Sequence, residues 1–260
     1  MNTTRNDMVV TILGSGTCVP SAARSSCAVM VTLGDSRLVL DCGPGTMRRL
    51  LEAGSNIHEV THLFFSHLHP DHSAELVPFL FATKYPSRQR SRPLKLAAGR
   101  GFLDFFNGLK NVYGSWIDIG DQLDTVIEMD TAGSDSRMFD DFRVISTPVA
   151  HNDESLAYRV ESKDKRSVVY SGDTGYTENL VALARNAELL ICESALPDSR
   201  RVDGHLTPSL AGKIATRAGV RKLVLTHFYP ECDQTDIAAE CRKTFDGPLV
   251  LAEDLMTIKI

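Results

Sequence analysis

Three histidines and one aspartate lie within the segment HLHPDH, residues 67–72, of a chain that has only eight histidines. On an extended backbone, His67 and His69 are two positions apart and point the same way. The proline that follows favours a turn, so that Asp71 and His72 can face a second point. Imidazole and carboxylate groups are ligands for zinc, and also for manganese or iron. The segment therefore predicts a loop that supplies ligands to two neighbouring metal positions.

Two metal positions need more ligands than this segment offers, and three further candidates each end a predicted strand. His151 follows the run VISTPVA, Asp173 follows VVYSG, and His227 follows KLVLT. Side chains at strand ends gather in loops beside a sheet, where functional residues are common. We therefore expect these three side chains to complete the metal centre.

The elements that must position these residues are short strands and, later in the chain, alternating helices and strands. Short apolar runs predict strands at residues 8–14, 27–34, 36–43, 61–66, 122–129, 142–150, 155–162, 167–173, 188–194, 222–227 and 248–254. Apolar residues at helical spacing predict helices at residues 43–54, 73–85, 101–116, 178–186, 207–219 and 235–245.

Loops and domain organisation follow from the residues between these runs. Ser73 is the expected N-cap of the helix at 73–85. The basic, proline-bounded segment 86–93 is expected to be a solvated loop. Because no linker and no internal repeat interrupts the pattern, we expect one domain, residues 1–260, with sheet inside and helices outside.

Composition excludes several classes of function. The 260-residue chain carries 28 basic and 33 acidic residues and a net charge of −5, so tight, sequence-independent binding to long nucleic acid is not expected. No stretch is apolar enough for a secretory signal or a membrane span. The six cysteines are scattered without a CxxC pair, which is typical of reduced thiols. We therefore expect a cytoplasmic protein that does not bind membranes.

The order of the candidate ligands resembles the signature of the metallo-β-lactamase superfamily, HxHxDH followed by His, Asp and His. The resemblance covers nearly the whole chain and implies an α+β fold, a four-layer αβ/βα sandwich with two divalent metal ions between its sheets. These ions would be zinc, with manganese or iron as alternatives. By position, the first ion would be held by His67, His69 and His151, the second by Asp71, His72 and His227, and Asp173 would bridge both.

Two further positions refine what the resemblance implies. Diiron oxidoreductases of the superfamily typically have a glutamate at the position of His69, so the histidine here favours hydrolysis. Asp41, in VLDCGPGT, matches the aspartate that ends a strand in the family and supports the ligands from behind. Such support is physically sensible, because a metal-bound imidazole needs its other N–H held.

Residues late in the chain resemble the ribonuclease Z-like branch of the superfamily. His205 and Thr207, in GHLTPSLAG, match an HxT histidine, and Glu193, in ICESAL, matches the glutamate that orients it. The opening GSGTCVPSAARSSCAVMV also resembles that branch. The resemblance assigns Asp71, His205 and Glu193 to catalysis. Two metals can lower the pKa of a bridging water and clamp phosphoryl oxygens, and His205 can assist the leaving oxygen.

The chain departs from the tRNA-processing enzymes of that branch in two places. Their protruding tRNA-binding arm would fall between His151 and Asp173, where this sequence has room only for a hairpin. Their DCGEGTQ-like stretch is here DCGPGTM, with Pro44 and Met47 at the differing positions. These departures favour a dizinc phosphodiesterase that cleaves small phosphodiesters, cyclic ones included, through a metal-bridging hydroxide.

Other functions stay open at this point. A tRNA 3′-end endonuclease is the first alternative, so tRNA is not excluded as a partner. An aryl sulfatase or a lactonase could use the same metal centre, since relatives differ in substrate. A non-catalytic metal-binding protein is disfavoured because all seven expected ligands are present. The resemblance also implies a homodimer that acts on a small anionic ester.

Overall fold

The computed structural model describes residues 8–85 and 90–260. Residues 86–89, which belong to the expected basic loop, lie outside the described residues, as do residues 1–7. Within the described ranges, no helix combines the length and the apolarity needed to cross a bilayer.

The first of two seven-stranded mixed sheets contains the beginning and the end of the described chain. Its strands are β1 (Met8–Gly14), β2 (Ala28–Leu33), β3 (Ser36–Leu40), β4 (His62–Phe64), β5 (Leu94–Ala98), β6 (Leu123–Glu128) and β14 (Thr257–Lys259). Their order is β14-β1-β2-β3-β4-β5-β6. The pairs from β14 to β3 are antiparallel, and the pairs from β3 to β6 are parallel.

The second sheet repeats this arrangement with the middle and late strands. Its strands are β7 (Asp135–Met138), β8 (Phe142–Pro148), β9 (Leu156–Ser162), β10 (Ser167–Tyr170), β11 (Leu189–Glu193), β12 (Leu223–Thr226) and β13 (Leu249–Leu251). Their order is β13-β12-β11-β10-β9-β8-β7. Strands β7 to β10 pair antiparallel, and strands β10 to β13 pair parallel.

Helices cover the outer faces of both sheets, which gives the four layers of an α+β sandwich. The helices are α1 (Thr46–Glu52), α2 (Pro70–Ser73), α3 (Leu76–Thr83), α4 (Phe102–Tyr113), α5 (Glu178–Leu183), α6 (Pro208–Ala218) and α7 (Ile237–Arg242). Helices α1, α3 and α4 pack with the first sheet, and α5, α6 and α7 pack with the second. The expected four-layer architecture is therefore confirmed.

The alternation of side chains along each strand builds these layers. On β3, Leu38 and Leu40 join the hydrophobic cluster that also contains Val144 of the second sheet. Val39, between them, joins a different cluster with Phe79 of α3. One face of the strand thus packs between the sheets, while the other packs beneath the helices.

The structure corrects several local predictions. Ser73 is not the N-cap of α3: it ends α2, and its hydroxyl donates to the carbonyl oxygens of Leu68 and His69, while Glu75 precedes α3. Strands β5, β7 and β14 were not predicted. β7 is mostly exposed and has the sequence DSRM, so its strand conformation comes from backbone pairing with β8 rather than from an apolar pattern.

Candidate metal centre

The predicted ligand side chains lie in the loops that follow four strands. HLHPDH follows β4 and continues into α2, while the other three candidates follow β8, β10 and β12. Because β10, β11 and β12 are parallel neighbours, their carboxyl ends share one edge of the second sheet. The loop after β4 brings ligands from the first sheet to that edge.

The structure brings all seven predicted ligands together in two groups, and within each group the candidate ligand atoms lie within 4.8 Å of one another. The first group contains His67, His69, His151 and Asp173. The second group contains Asp71, His72 and His227. A third group of the same kind overlaps both and contains Asp173, His205 and His227.

Asp173 lies between the two groups and turns one carboxylate oxygen to each. Its Oδ2 lies 3.7 Å from Nε2 of His67 and 4.0 Å from Nε2 of His151. Its Oδ1 lies 3.3 Å from Nε2 of His72 and 3.3 Å from Nε2 of His227. This geometry is the one expected of a carboxylate shared between two cations.

Two of the ring nitrogens that point away from the centre, in His67 and His151, are held by hydrogen bonds. Nδ1 of His67 lies 3.0 Å from the hydroxyl of Ser66, and Nδ1 of His151 lies 3.0 Å from the carbonyl oxygen of Gly204. A carbonyl oxygen only accepts, so Nδ1 of His151 carries the hydrogen and its Nε2 keeps a free lone pair. The rings are thereby oriented with Nε2 toward the centre.

Asp41 is linked by hydrogen bonds to both ligand groups on the side of the rings that faces away from the centre. Its Oδ2 accepts hydrogen bonds from Nδ1 of His72 at 2.7 Å, from the Ser66 hydroxyl at 2.8 Å and from the Tyr170 hydroxyl at 2.6 Å. Its Oδ1 accepts from the backbone N–H of Ser66 at 2.6 Å. The fully buried carboxylate therefore orients His72 directly and His67 through Ser66.

The loops that carry this network have unusual backbone conformations. Asp41 and His227 have φ values of 62° and 60°, in the left-handed region that residues other than glycine rarely adopt. Gly172, with φ 56°, approaches so closely that a Cβ there would lie 2.5 Å from Cβ of Ser66. Such conformations persist where surrounding contacts hold them, and they cluster at functional sites.

The donor atoms at the centre fit a divalent cation. Nε2 of His67 and Oδ1 of Asp173 are buried and have no hydrogen-bond partner among the described residues. Burial lowers the pKa of His67 to about 2, so its ring is neutral. Burial alone would raise the pKa of Asp173, but the neighbouring His227 and His72 lower it well below its usual value. A neutral imidazole and an ionised carboxylate are the forms that bind metal. Burial alone would lower the pKa of His72, but Asp173 and Asp41 raise it well above its usual value, so a bound metal ion would displace a proton from this ring.

His205 lies beside the two groups and is oriented by Glu193. Its Nδ1 lies 2.9 Å from Oε1 of Glu193, and its ring centroid lies 4.9 Å from that of His151 and 5.9 Å from that of His227. Burial alone would lower the pKa of His205, but the hydrogen bond and charge of Glu193 raise it to about 8. A half-buried histidine held in this way can donate a proton into the site.

Glu193 is itself fixed by backbone donors. Its Oε1 accepts from the N–H of Thr174 at 2.7 Å, and its Oε2 accepts from the N–H groups of Ala195 and Leu206, each at 3.2 Å. The side chain is almost completely buried at the end of β11. The carboxylate therefore has little freedom and presents one oxygen to His205.

Sequence reasoning identified Asp41 and Glu193 but missed other residues that orient the ligands and the side chains beside them through hydrogen bonds. Ser66 and Tyr170 contact Asp41, and the amide nitrogen of Asn152 lies 3.2 Å from Nε2 of His69. The position of Ser66, directly before the histidine segment, was the available signal. Tyr170 lies in a buried strand and carried no such signal.

Comparisons with known proteins agree with this geometry. A family model described as the beta-lactamase superfamily domain matches residues 36–228. An uncharacterised protein of Mycobacterium tuberculosis is 32% identical over 245 residues, which cover 92% of this chain and 88% of the relative. The ribonuclease Z of Methanothermobacter thermautotrophicus is 27% identical over an alignment of 304 positions, gaps included, which covers 97% of this chain and 97% of the relative.

Among solved structures, the short form of human tRNase Z is similar over almost its entire length. Its TM-score is 0.80, with 26% sequence identity, and the match covers 96% of this chain and 98% of that chain. The similarity therefore extends beyond the ligand loops to the arrangement of both sheets.

Proposed function

The chain belongs to the β-lactamase superfamily, as a hydrolase of metallo-β-lactamase fold, and from this premise we propose that it is a two-metal phosphodiesterase for small substrates. The position of Asp173 carries the proposal, because Oδ2 faces His67 while Oδ1 faces His72. A carboxylate placed in this way can share its charge between two cations, and paired metals are well suited to in-line displacement at phosphorus.

The residues present fit two divalent ions, for which zinc is the proposed metal and manganese or iron the alternatives. When bound, such ions supply a water of lowered pKa and neutralise charge on the phosphoryl oxygens. Asp41 keeps His72 and His67 oriented for this task through its hydrogen bonds. The first ion would be held by His67, His69 and His151, the second by Asp71, His72 and His227, and both by Asp173.

His205 would act on the leaving oxygen. Glu193 accepts a hydrogen bond from its Nδ1 at 2.9 Å, which leaves Nε2 as the proton donor. The ring lies beside His151 and His227, outside the two groups formed by the seven predicted ligands, and shares only the third, overlapping group with Asp173 and His227. His205 would therefore protonate the departing oxygen, while Glu193 would orient the ring.

The short connection after β9 supports a small substrate. Strand β9 ends at Ser162 and β10 begins at Ser167, so the hairpin between them is too short to form an arm that could bind tRNA. The alignment with the archaeal ribonuclease Z spans 304 positions, more than the 260 residues of this chain, so that relative has segments without a counterpart here. The net charge of −5 also disfavours contacts with many phosphates.

Endonucleolytic processing of tRNA 3′ ends is the second candidate function. It is favoured by the similarity to ribonuclease Z of M. thermautotrophicus and to human tRNase Z, each matched over more than nine-tenths of its length. Hydrolysis of aryl sulfates or lactones could use the same metal centre, although no specific observation favours either one.

A direct comparison of substrates tests the proposal. The metal-loaded protein would be assayed with bis(4-nitrophenyl) phosphate, a 4-nitrophenyl sulfate, a lactone and a precursor tRNA between about 50 and about 200 mM salt. We expect turnover of the phosphodiester with a weak dependence on salt, since few phosphates are contacted. Efficient removal of the tRNA trailer with a steep salt dependence would instead support the second candidate.

A further inference from the structure

A cavity of about 390 Å³ lies beside the second ligand group. Asp71 forms part of its lining, together with the neighbouring Pro70 and with Pro44 from the turn before α1. The opposite wall is the loop after β1, residues 17–26. The cavity is therefore within reach of a group bound at Asp71. We call it the hydroxyl pocket, after the lining side chains of Thr17, Ser21, Ser25 and Ser26.

The hydroxyl pocket offers hydrogen-bond donors. The Thr17 hydroxyl oxygen accepts from the N–H of Val19 at 3.3 Å, and the Ser21 hydroxyl oxygen accepts from the N–H of Ala23 at 3.1 Å. Ser25 accepts from Arg49 through its hydroxyl oxygen. Since these contacts use the oxygen lone pairs, the hydroxyl hydrogens of these three residues can be donated to a ligand. The Ser26 hydroxyl is not available in this way, because it donates to the carbonyl oxygen of Thr17 at 3.2 Å.

The pocket offers no free cation among its described lining residues. Arg24 lines it, but Nη2 of Arg24 is bound to Asp233 at 2.9 Å, and Nη1 is bound to the Ser15 hydroxyl and to the carbonyl oxygen of Ala252. Asp71 adds a carboxylate at the inner edge. A second phosphate would find no compensating positive charge here, so the pocket favours an uncharged group.

The two ends of the loop that forms the pocket are held by hydrogen bonds. Asp254 accepts hydrogen bonds from the N–H and the hydroxyl of Ser15 and from the N–H of Ser25, at 2.7–2.9 Å. The backbone N–H of Gly16 also donates to the carbonyl oxygen of Ser25 at 2.9 Å. Because the ends of the loop are held in place, a ligand would lose less affinity to the ordering of protein groups than it would on a loop without these hydrogen bonds.

We propose that the hydroxyl pocket binds the nucleoside portion of a substrate that contains a single phosphodiester. This rests on the proposed function and names its substrate class. The faces of Pro44, Pro70 and Val19 give apolar contacts for a planar base, while hydroxyl donors serve the oxygen and nitrogen acceptors of base and sugar. The volume falls within the range of small-molecule sites, roughly 300–1,000 Å³.

A binding experiment on the metal-depleted protein tests the pocket separately from catalysis. Adenosine would be titrated calorimetrically into the wild type, into Val19→Trp, which fills the pocket, and into Val112→Trp, a matched change on the exposed face of α4. We expect adenosine to bind the wild type and Val112→Trp alike, and Val19→Trp to bind about tenfold more weakly or worse. Ser21→Val, which removes a donor, should also weaken binding.

A kinetic measurement on the metal-loaded protein then links the pocket to turnover. We expect Val19→Trp to lower the ratio of kcat/KM for thymidine 5′-(4-nitrophenyl phosphate) over methyl 4-nitrophenyl phosphate about tenfold. Adenosine that fails to bind the wild type, or binds Val19→Trp equally well, would overturn the pocket assignment even if phosphodiesters are cleaved. Adenosine binding that Val19→Trp abolishes, without cleavage of any phosphodiester, would support the pocket and refute the proposed function instead.

Discussion

Replacing His205 by alanine removes the proposed proton donor without touching any of the seven ligand side chains. His205 lies outside the two groups formed by the seven predicted ligands and shares only the third, overlapping group with Asp173 and His227, and its Nδ1 is committed to Glu193 at 2.9 Å. We therefore expect His205→Ala to keep its metal ions and its fold. Because the ring of His205 is half-buried at the rim of the site, its removal should leave no large cavity in the core.

The expected kinetic loss follows from the role of the ring. One positioned acid–base group contributes roughly 10²–10⁴ in kcat, or about 3–5 kcal/mol of transition-state free energy. The loss should approach this range for a poor leaving group such as a nucleoside alkoxide. It should shrink for nitrophenolate, which departs with little help from a proton donor. Glu193→Gln should give a milder loss, roughly 10–100-fold, because it weakens one charged hydrogen bond worth about 1.5–3 kcal/mol.

The assay compares alkyl and nitrophenyl phosphodiesters across the wild type, His205→Ala and Glu193→Gln, with metal content measured on the same samples. His67→Ala is the matched comparison, because it should lose metal and activity together whatever the leaving group. Loss of metal from His205→Ala, or an equal loss on every leaving group, would refute the role. His205 would then be a ligand, a substrate-binding residue or a structural cap.

Two further predictions concern buried groups. Tyr170→Phe removes the 2.6 Å hydrogen bond to Asp41. We expect the free energy of unfolding, measured in urea, to fall by about 1–3 kcal/mol, and metal binding, measured by competition titration, to weaken about tenfold. Unchanged metal affinity would contradict this prediction. Burial, with smaller effects from Lys95 and Arg92, lowers the pKa of His62 to about 3. Below about pH 6.5, His62 therefore binds a proton in the unfolded chain but not in the folded chain. The free energy of unfolding should therefore fall from pH 6.5 toward pH 3, by at most about 1.4 kcal/mol per pH unit. His62→Phe should reduce the loss between about pH 6.5 and 5 by about 1–2 kcal/mol. Equal losses in the wild type and in His62→Phe would show that His62 does not titrate in this way.

The proximity of the ligands could be predicted because each one ends a strand or lies in one short segment. His151, Asp173 and His227 could be placed by apolar runs alone, since strands β8, β10 and β12 run in the same direction and end at one edge. The hydrogen bond from Tyr170 to Asp41 could not be predicted in this way, because it joins residues that are 129 positions apart and belong to different sheets. No local pattern indicates which buried hydroxyl will meet a buried carboxylate.

Short elements escaped prediction for a related reason. The β14 strand has three residues, and β7 shows no apolar alternation, so both depend on backbone pairing with a neighbour. The helical turn of α2, within the ligand segment, depends on tertiary hydrogen bonds such as that from the N–H of Cys42 to the carbonyl oxygen of His72. Such pairing is decided by the fold as a whole and is not encoded in the segment itself.

The metal content of the fully active protein tests the central claim most directly. If the carboxylate of Asp173 is shared between two ions, elemental analysis should find about two divalent ions per chain. Asp173→Ala should then weaken both positions in a metal titration, whereas His205→Ala should still bind two ions. A fully active protein with a single ion per chain, or an Asp173→Ala variant that keeps both ions at unchanged affinity, would contradict the two-metal centre.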